Sequence, residues 1–88
     1  TIVTLDSRGQ SMDAHAFAGF VERLARVDKG EIAFVIGGKE GLGPKSLGQG
    51  KHMLSLSQMT LPHRIARLFL MEQLYRAMTI LRGEPYGL

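Results

Sequence analysis

A glycine-rich segment follows the second apolar run of the chain and contains the residue types that can bind a phosphate. Gly38 and Gly43 have the spacing of a phosphate-binding loop, and Lys45 and Ser46 follow closely. In such a loop the backbone N–H groups surround the phosphates, and the lysine and the hydroxyl complete the site. Pro44, however, removes one N–H donor and shifts the lysine and the serine by one position. The sequence therefore argues against a nucleoside triphosphatase.

The glycine pair Gly37 and Gly38 indicates a different kind of ligand. The pair stands at the carboxyl end of a predicted buried strand, where open α/β sheets bind ligands, and it lets a flat ligand approach the backbone. A later segment, "LSLSQMTLPH", has backbone groups that could read the edge of an adenine, while its side chains form an apolar slot. Apolar and polar side chains alternate in it: Leu56, Met59 and Leu61 with Ser57, Gln58 and Thr60. A plain third strand explains this alternation equally well.

Cysteine and histidine usage limits the other chemistries. The chain has no cysteine, which excludes disulfides and thiolate metal ligands and favours a reducing compartment. His15 and His52 have no partner at a metal-ligand spacing, so we predict no metal site. No basic-then-apolar leader opens the chain, and its apolar runs are far shorter than the ~20 residues of a membrane span. We therefore expect a soluble, untargeted cytoplasmic protein.

Positive charge is concentrated in the second half of the chain. The formal net charge is +3, and residues 41–88 carry six Lys or Arg against two Asp or Glu. A cationic surface raises the local concentration of a polyanion and speeds encounter with it, which indicates nucleic acid as a partner. An ordinary solvated surface would explain the charge alone equally well.

The first third of the chain predicts a strand followed by a helix. "TIVTLD" is rich in β-branched residues and is expected to end at the turn-forming residues 6–9. Ser11 is expected to cap a helix over about residues 12–28, which Lys29 and Gly30 close. The spacing of five apolar residues predicts the face that packs on a sheet: Phe17, Phe20, Val21, Leu24 and Val27.

The middle of the chain predicts a parallel sheet. "EIAFVIGG" is apolar at nearly every position, as expected for a strand when helices cover both faces of a parallel sheet. The order strand, helix, strand predicts a right-handed crossover. A short helix is expected at about 44–47, and a third strand or extended segment over 52–61. The predicted fold class is α/β, with a parallel sheet and flanking helices.

The last helix has apolar residues on more than one side. Pro62 is expected at its first position, and the helix should continue to about Arg82 before Gly83 ends it. One narrow stripe contains Ala66, Leu70, Ala77 and Leu81. A different side carries Ile65, Phe69 and Ile80. Because a helix that is apolar on two sides has two surfaces to cover, we predict a homodimer.

Three stretches, "IVTLD", "FVIGGKEGL" and "LSLSQMTLPHRIARLFLMEQLYRAMTILRGEPY", together resemble the RlmH type of 23S ribosomal RNA methyltransferase, of the SPOUT class. The resemblance covers nearly the whole chain in order. It implies a homodimeric enzyme that transfers a methyl group from S-adenosylmethionine to a ring nitrogen of a pseudouridine in assembled ribosomes. It also implies a C-terminal trefoil knot that holds the adenosine. Related enzymes carry an additional strand-and-helix region before this part, so residues 1–88 are expected to be the cofactor-binding part of a longer protein that lacks the family's N-terminal strands.

The resemblance also assigns cofactor-binding positions. By matching motifs, the pocket should be lined by Leu5, Gly37, Leu56, Ser57, Gln58, Met59, Thr60 and Leu61. The glycine pair is then similar to a floor for S-adenosylmethionine and not to a phosphate cradle.

Methyl transfer to this acceptor suggests two catalytic candidates. The ring N–H must lose its proton, which requires a general base or a cation that stabilises the developing anion. His63 could accept the proton and Arg76 could stabilise the charge, although a structural role for each stays an open alternative. The RNA-binding candidates are Arg64, Arg82 and Tyr86. Tyr75 and Met78 are expected to be packing residues.

The end of the chain departs from the pattern. Related enzymes commonly end in Pro/Ala-Tyr-His followed by a basic residue, whereas this chain ends "EPYGL". An alternative interpretation is therefore a catalytically impaired, dimeric RNA- or ribosome-binding module of the same fold.

Overall fold

The computed structural model describes residues 1–27, 30–36 and 52–86. Its elements are β1 (Ile2–Ser11), α1 (Ala14–Ala25), β2 (Ala33–Ile36), β3 (His52–Ser55) and α2 (His63–Arg82). The strands form one sheet in the order β2-β1-β3, and both pairs are parallel. The predicted parallel α/β sheet with helices is confirmed. The glycine loop and the short helix predicted at 44–47 lie outside the described residues.

The core lies on one face of the sheet. Val3 and Leu5 of β1 are buried there, and both helices add their apolar side chains to the same cluster. Its other buried members are Phe17, Ala18, Phe20, Val21, Leu24, Leu54, Leu70 and Ala77. Since strand side chains alternate, the opposite face carries Ile2 and, in register with Thr4, Val35. Ile2 and Val35 are 40% and 37% exposed, so the expected cover on both faces is incomplete in the structure.

The first strand does not end at the predicted turn. Leu5 and Gln10 both pair with Leu54, so the four residues between them form an irregularity, and β1 continues to Ser11. Asp6 and Arg8 stabilise this detour, because Arg8 Nε and the Arg8 backbone N–H both donate to Asp6 Oδ1 at 2.9 Å. Turn-forming residues thus mark a bulge inside the strand, and the expectation of a strand end was wrong.

Gly9 is the position of this detour at which a side chain cannot fit. A Cβ atom there would lie 2.6 Å from the Met53 backbone carbonyl carbon and 2.8 Å from the Leu54 backbone nitrogen. We expect Gly9→Ala to lower the free energy of unfolding by about 1–3 kcal/mol, because backbone must move to relieve the overlap. Urea unfolding measures this effect.

The control for this experiment is Gly19→Ala in α1, whose added Cβ meets only the Arg23 guanidinium at 3.5 Å. Because alanine favours a helix over glycine, that variant should be as stable as the parent or more stable by about 0.5–1 kcal/mol. Equal stability of both variants would contradict the close approach of β1 and β3 at Gly9.

The ion pair in the same detour predicts a pH dependence of stability. The Arg8 hydrogen bonds lower the Asp6 pKa from 3.8 to about 2. A lowered folded-state pKa stabilises the fold above the unfolded-state value, and this contribution disappears as the pH falls from about 4 towards 2. We expect Asp6→Asn to remove about 1 kcal/mol of stability at pH 7 and little at pH 2, because solvent screens the pair. The midpoint of urea unfolding as a function of pH measures this. A constant difference at all pH values would contradict it.

The helix α1 is shorter than predicted at both ends. Ser11 is still in β1, and the cap is Asp13, whose Oδ1 accepts from the Ala16 backbone N–H at 2.7 Å. The helix ends at Ala25 with Arg26 as its C-cap, so Val27 leaves the helical face and is exposed. The other four residues of the predicted face are buried in the core as expected.

The limits of helix α2 agree with the prediction to within one residue. Pro62 is the N-cap, with a φ of −58°, so the helix begins at His63, one residue later than predicted. Gly83 ends the helix in the left-handed conformation at φ 70°, and the Glu84 backbone N–H donates to the Thr79 carbonyl oxygen at 2.9 Å. Glycine adopts this conformation without the steric cost of a Cβ, and the chain reverses its direction after it.

Candidate functional site

The strands that carry or precede the predicted cofactor positions Leu5, Gly37 and Leu56 lie side by side in the sheet. Leu5 is buried and lies in register with Ile36 on one side and with Leu54 on the other. Ile36 is the last residue of β2 before Gly37, and Leu54 precedes Leu56 by two residues. Gly37 itself lies outside the described residues. β2 and β3 therefore both end within one residue of the level of Leu5. This level marks the carboxyl end of these strands, where open α/β sheets bind ligands.

The segment that follows β3 forms a turn, and several of its side chains are exposed to solvent. Ser55 Oγ donates to the Ser57 carbonyl oxygen at 2.9 Å, and Ser57 Oγ accepts from the Met59 backbone N–H at 3.0 Å. Leu56, Ser57 and Leu61 are half-buried. The remaining side chains of the segment are exposed: Gln58, Met59 and Thr60. The predicted extended segment therefore divides into the short strand β3 and a surface loop.

A cavity of about 260 Å³ opens beside Leu56. Its lining comes from the connection between β1 and α1, the start of α1, the end of β3 with the residue after it, and α2: Met12, Ala14, Phe17, Leu54, Ser55, Leu56, Phe69, Gln73 and Arg76. Among the predicted cofactor positions that the structure describes, Leu56 alone lines it, and Arg76 is a predicted catalytic residue. Pockets for drug-sized ligands have volumes of ~300–1,000 Å³, so this smaller cavity suits a fragment such as one planar ring.

Glu72 joins the polar side chains of α2 next to this cavity. Its Oε2 accepts from Arg76 Nη2 at 2.7 Å, and its Oε1 accepts from Gln73 Nε2 at 2.9 Å and from Arg76 Nε at 3.4 Å. The Arg76 bonds lower the Glu72 pKa, and the carboxylate in turn raises the Arg76 pKa. Both side chains are only partly exposed. They are therefore charged at neutral pH and hold each other in place.

The chain after Gly83 returns along α2 and adds Tyr86 to the same group. The Tyr86 hydroxyl donates to Glu72 Oε2 at 3.1 Å, and this bond raises the Tyr86 pKa. The Arg76 guanidinium carbon lies 5.1 Å from the Tyr86 ring centroid, within the range of a cation–π contact. The Tyr75 ring meets the Tyr86 ring edge-on, with centroids 4.8 Å apart. We call Glu72, Gln73, Arg76 and Tyr86 the Glu72 cluster.

The structure does not bring the two catalytic candidates together. His63 begins α2 and is exposed, whereas Arg76 lies 13 residues later on the same helix. At about 1.5 Å per residue the two are separated by about 20 Å along the helix axis. One acceptor base therefore cannot contact both side chains of a single chain. The predicted RNA contacts Arg64 and Arg82 are exposed near the two ends of α2.

A row of large apolar side chains is exposed on α2 opposite the core. Leu68, Met71, Tyr75 and Met78, here called the α2 stripe, are 68%, 65%, 59% and 44% exposed. Tyr75 and Met78, expected to be packing residues, are therefore not part of the buried core, and Tyr75 packs instead against the Tyr86 ring. On the second apolar side predicted for this helix, Ile65 and Phe69 are exposed and Ile80 packs against the core. Of the narrow stripe, Leu81 is exposed and the other members are buried.

Metal binding and membrane insertion find no support in the described ranges 1–27, 30–36 and 52–86. No group of three or more His, Cys, Asp or Glu side chains there could hold a metal ion. In the same ranges, neither α1 nor α2 has the length and apolarity that a membrane-crossing helix requires.

Sequence reasoning missed most of the cavity. Spacing predicts Phe17 and Phe69 only as apolar residues of helix faces, and no sequence pattern discussed above identifies Met12, Glu72 or Gln73 as a site residue. A signal was present, because "EQLYR" places Glu72 and Arg76 four residues apart, on one side of a helix, where side chains meet. The contribution of Tyr86 depends on the chain reversal after Gly83 and has no local signal.

Comparison with known proteins agrees with the resemblance seen in the sequence. A family model described as "Predicted SPOUT methyltransferase" matches residues 1–87. "Ribosomal RNA large subunit methyltransferase H" of Sorangium cellulosum (strain So ce56) is 49% identical over 87 residues, covering 99% of this chain and 60% of that protein.

Two further relatives carry the same name. The protein of Anaeromyxobacter dehalogenans (strain 2CP-C) is 51% identical over 86 residues, covering 97% of this chain and 55% of its own length. That of Nitratidesulfovibrio vulgaris (strain DP4) is 49% identical over 85 residues, covering 97% and 54%. The chain thus spans little more than half the length of these curated relatives. Because the family model matches almost all of its residues, the chain belongs to the SPOUT methyltransferase family.

Proposed function

We propose that this chain is the cofactor-binding part of an S-adenosylmethionine-dependent methyltransferase that modifies a pseudouridine of 23S ribosomal RNA in the cytoplasm. The observation that carries the proposal is the register of Leu5 with Ile36 and Leu54, which brings together the strands next to the predicted pocket positions. Membership of the SPOUT family and three relatives named as ribosomal RNA methyltransferases support it. No observation favours the alternative of an impaired binding module.

The residues at this edge fit an adenosine. Leu56 is half-buried and lines the cavity, so it can offer an apolar surface to a flat ring, and the buried Leu5 would support it from the neighbouring strand. The Ser57 hydroxyl turns the backbone at Met59 away from the strand ladder, which leaves this segment outside the sheet. Leu5, Gly37 and residues 56–61 would hold S-adenosylmethionine, which supplies an electrophilic methyl group when bound.

The protein's own part in the reaction is to align the acceptor and to stabilise its conjugate base. Arg76 lines the cavity beside Leu56 and carries a fixed positive charge, so it would stabilise the ring anion. His63 would accept the ring proton. Because about 20 Å of α2 separate it from Arg76 in one chain, the two side chains could act on one ring only if they came from different subunits of the proposed homodimer.

The assembly and the RNA surface are also proposals. Homodimerisation would cover the α2 stripe, which a soluble monomer would leave in water. Arg64 and Arg82 would contact phosphates of the ribosomal RNA. Tyr86 already contacts Tyr75 and Arg76, so a role in base stacking would use only its remaining exposed surface. The trefoil knot stays a prediction, since residues 37–51, which connect β2 to β3, lie outside the described residues.

Calorimetry with S-adenosylmethionine tests the pocket. The parent chain should bind, and Leu56→Asp should abolish the heat of binding, because a carboxylate would stand in the apolar slot. A matched control is Val27→Asp, an exposed apolar position at the far end of α1. Undiminished binding by the Leu56 variant would place the cofactor elsewhere.

A further inference from the structure

We propose that Glu72 is a positioning residue that holds Gln73, Arg76 and Tyr86 as one unit at the cavity; this inference rests on the proposed function. Gln73 and Arg76 are the α2 side chains that give the cavity its amide and its charge, and Glu72 itself does not line it. A residue in this place acts through its neighbours and touches no reacting atom.

The bonding pattern supports this role. A carboxylate is an acceptor only, and its two oxygens receive hydrogen bonds from three side chains: Gln73, Arg76 and Tyr86. A shared acceptor brings the three donors together at one point. Glu72 therefore fixes the direction of the Arg76 guanidinium, and it does so from a place on α2 that is partly shielded from solvent.

The same carboxylate connects the end of the chain to the cavity. Tyr86 is 14 residues after Glu72. Its position depends on the chain reversal at Gly83, on the hydrogen bond from its hydroxyl to Glu72, and on its contacts with Tyr75 and Arg76. Because Arg76 lies between the cavity and the Tyr86 ring, loss of Glu72 should change the position of both side chains. The chemistry that this unit suits is a planar, weakly acidic ring, whose anion a correctly directed guanidinium would stabilise.

The substitution Glu72→Gln separates this role from bulk and helix propensity. A carboxamide has nearly the same size but offers one acceptor oxygen in place of two, and its own N–H groups would face the donors. We expect kcat for methyl transfer to fall by about tenfold to a hundredfold, because small displacements of aligned groups slow a reaction by such factors. The affinity for S-adenosylmethionine should stay within about twofold, because that ligand is held by residues of other elements.

The control is Glu22→Gln, which removes the same charge from another i,i+4 ion pair, with Arg26 on α1 at 3.1 Å. Both variants are made in the protein at its full native length and assayed with ribosomes that lack the modification. NMR cross-relaxation between the Tyr75 and Tyr86 rings reports the position of the chain end without any activity. Glu72→Gln should lose this signal, and Glu22→Gln should keep it and keep the parent kcat.

Two results would overturn the inference: an unchanged ring signal in Glu72→Gln, or a lost signal with kcat equal to the parent. If the parent protein transfers no methyl group, the proposed function fails, and the ring signal alone then decides whether Glu72 holds the unit together.

Discussion

Replacing Arg76 by alanine is expected to reduce methyl transfer to ribosomal RNA by about 100- to 1,000-fold, the size of effect seen when one preorganised group for a developing anion is removed. Arg76 lines the cavity, and two of its nitrogens are bound to Glu72, so its charge has a fixed place. S-adenosylmethionine affinity should change little, because the predicted cofactor positions are on other elements. Transfer of label from methyl-labelled S-adenosylmethionine to ribosomes measures the first quantity and calorimetry the second.

Two further variants make this test specific. Arg26→Ala removes the arginine of the Glu22 pair on α1 and should behave as the parent. Arg76→Lys keeps the charge but loses the planar fork, so only part of the activity should return. Parent-like transfer by Arg76→Ala would remove Arg76 from the reaction and leave the cavity without an assigned role.

Placing a charge on the α2 stripe is expected to dissociate the protein into monomers. Met71 is 65% exposed in the single chain and lies between Leu68 and Tyr75 on the face opposite the core. In the proposed homodimer Met71→Asp would bury an unpaired carboxylate, which costs several kcal/mol and weakens association by at least about 100-fold. Analytical ultracentrifugation at micromolar concentration should show a dimer for the parent and a monomer for the variant.

Val27→Asp adds the same charge at an exposed apolar position outside the stripe and should remain dimeric. A parent protein that sediments as a monomer would contradict the homodimer and would leave the exposure of Leu68, Met71, Tyr75 and Met78 without an explanation. Dimers that survive Met71→Asp would place the interface on another surface.

Elements with strong local signals were predictable from the sequence. Pro62 and Gly83 act through their own backbone preferences, so the limits of α2 were correct within one residue. The strands β1 and β2 follow from β-branched runs. The bulge in β1 was not predictable, because Asp6 and Gly9 favour a turn locally, and the strand continues only through the pairing of Gln10 and Ser11 with β3 across the sheet.

The surfaces of α2 show where periodicity stops being informative. Apolar residues occur on most sides of this helix, so spacing alone could not decide between Ile80, which packs on the core, and Leu81, which is exposed. The register at Leu5 could be expected from parallel strands, and with it the edge of the candidate cofactor site. The Glu72 cluster could not be predicted, since Tyr86 reaches it only through the reversal of the chain at Gly83.

Labelled methyl transfer to ribosomes tests the proposed function most directly. The protein at its full native length is incubated with methyl-labelled S-adenosylmethionine and ribosomes that lack the modification, and the RNA is then digested to nucleosides. We expect label in 23S ribosomal RNA, on a single pseudouridine. Label in another RNA, on another nucleoside, or absent while the cofactor demonstrably binds would contradict the proposal.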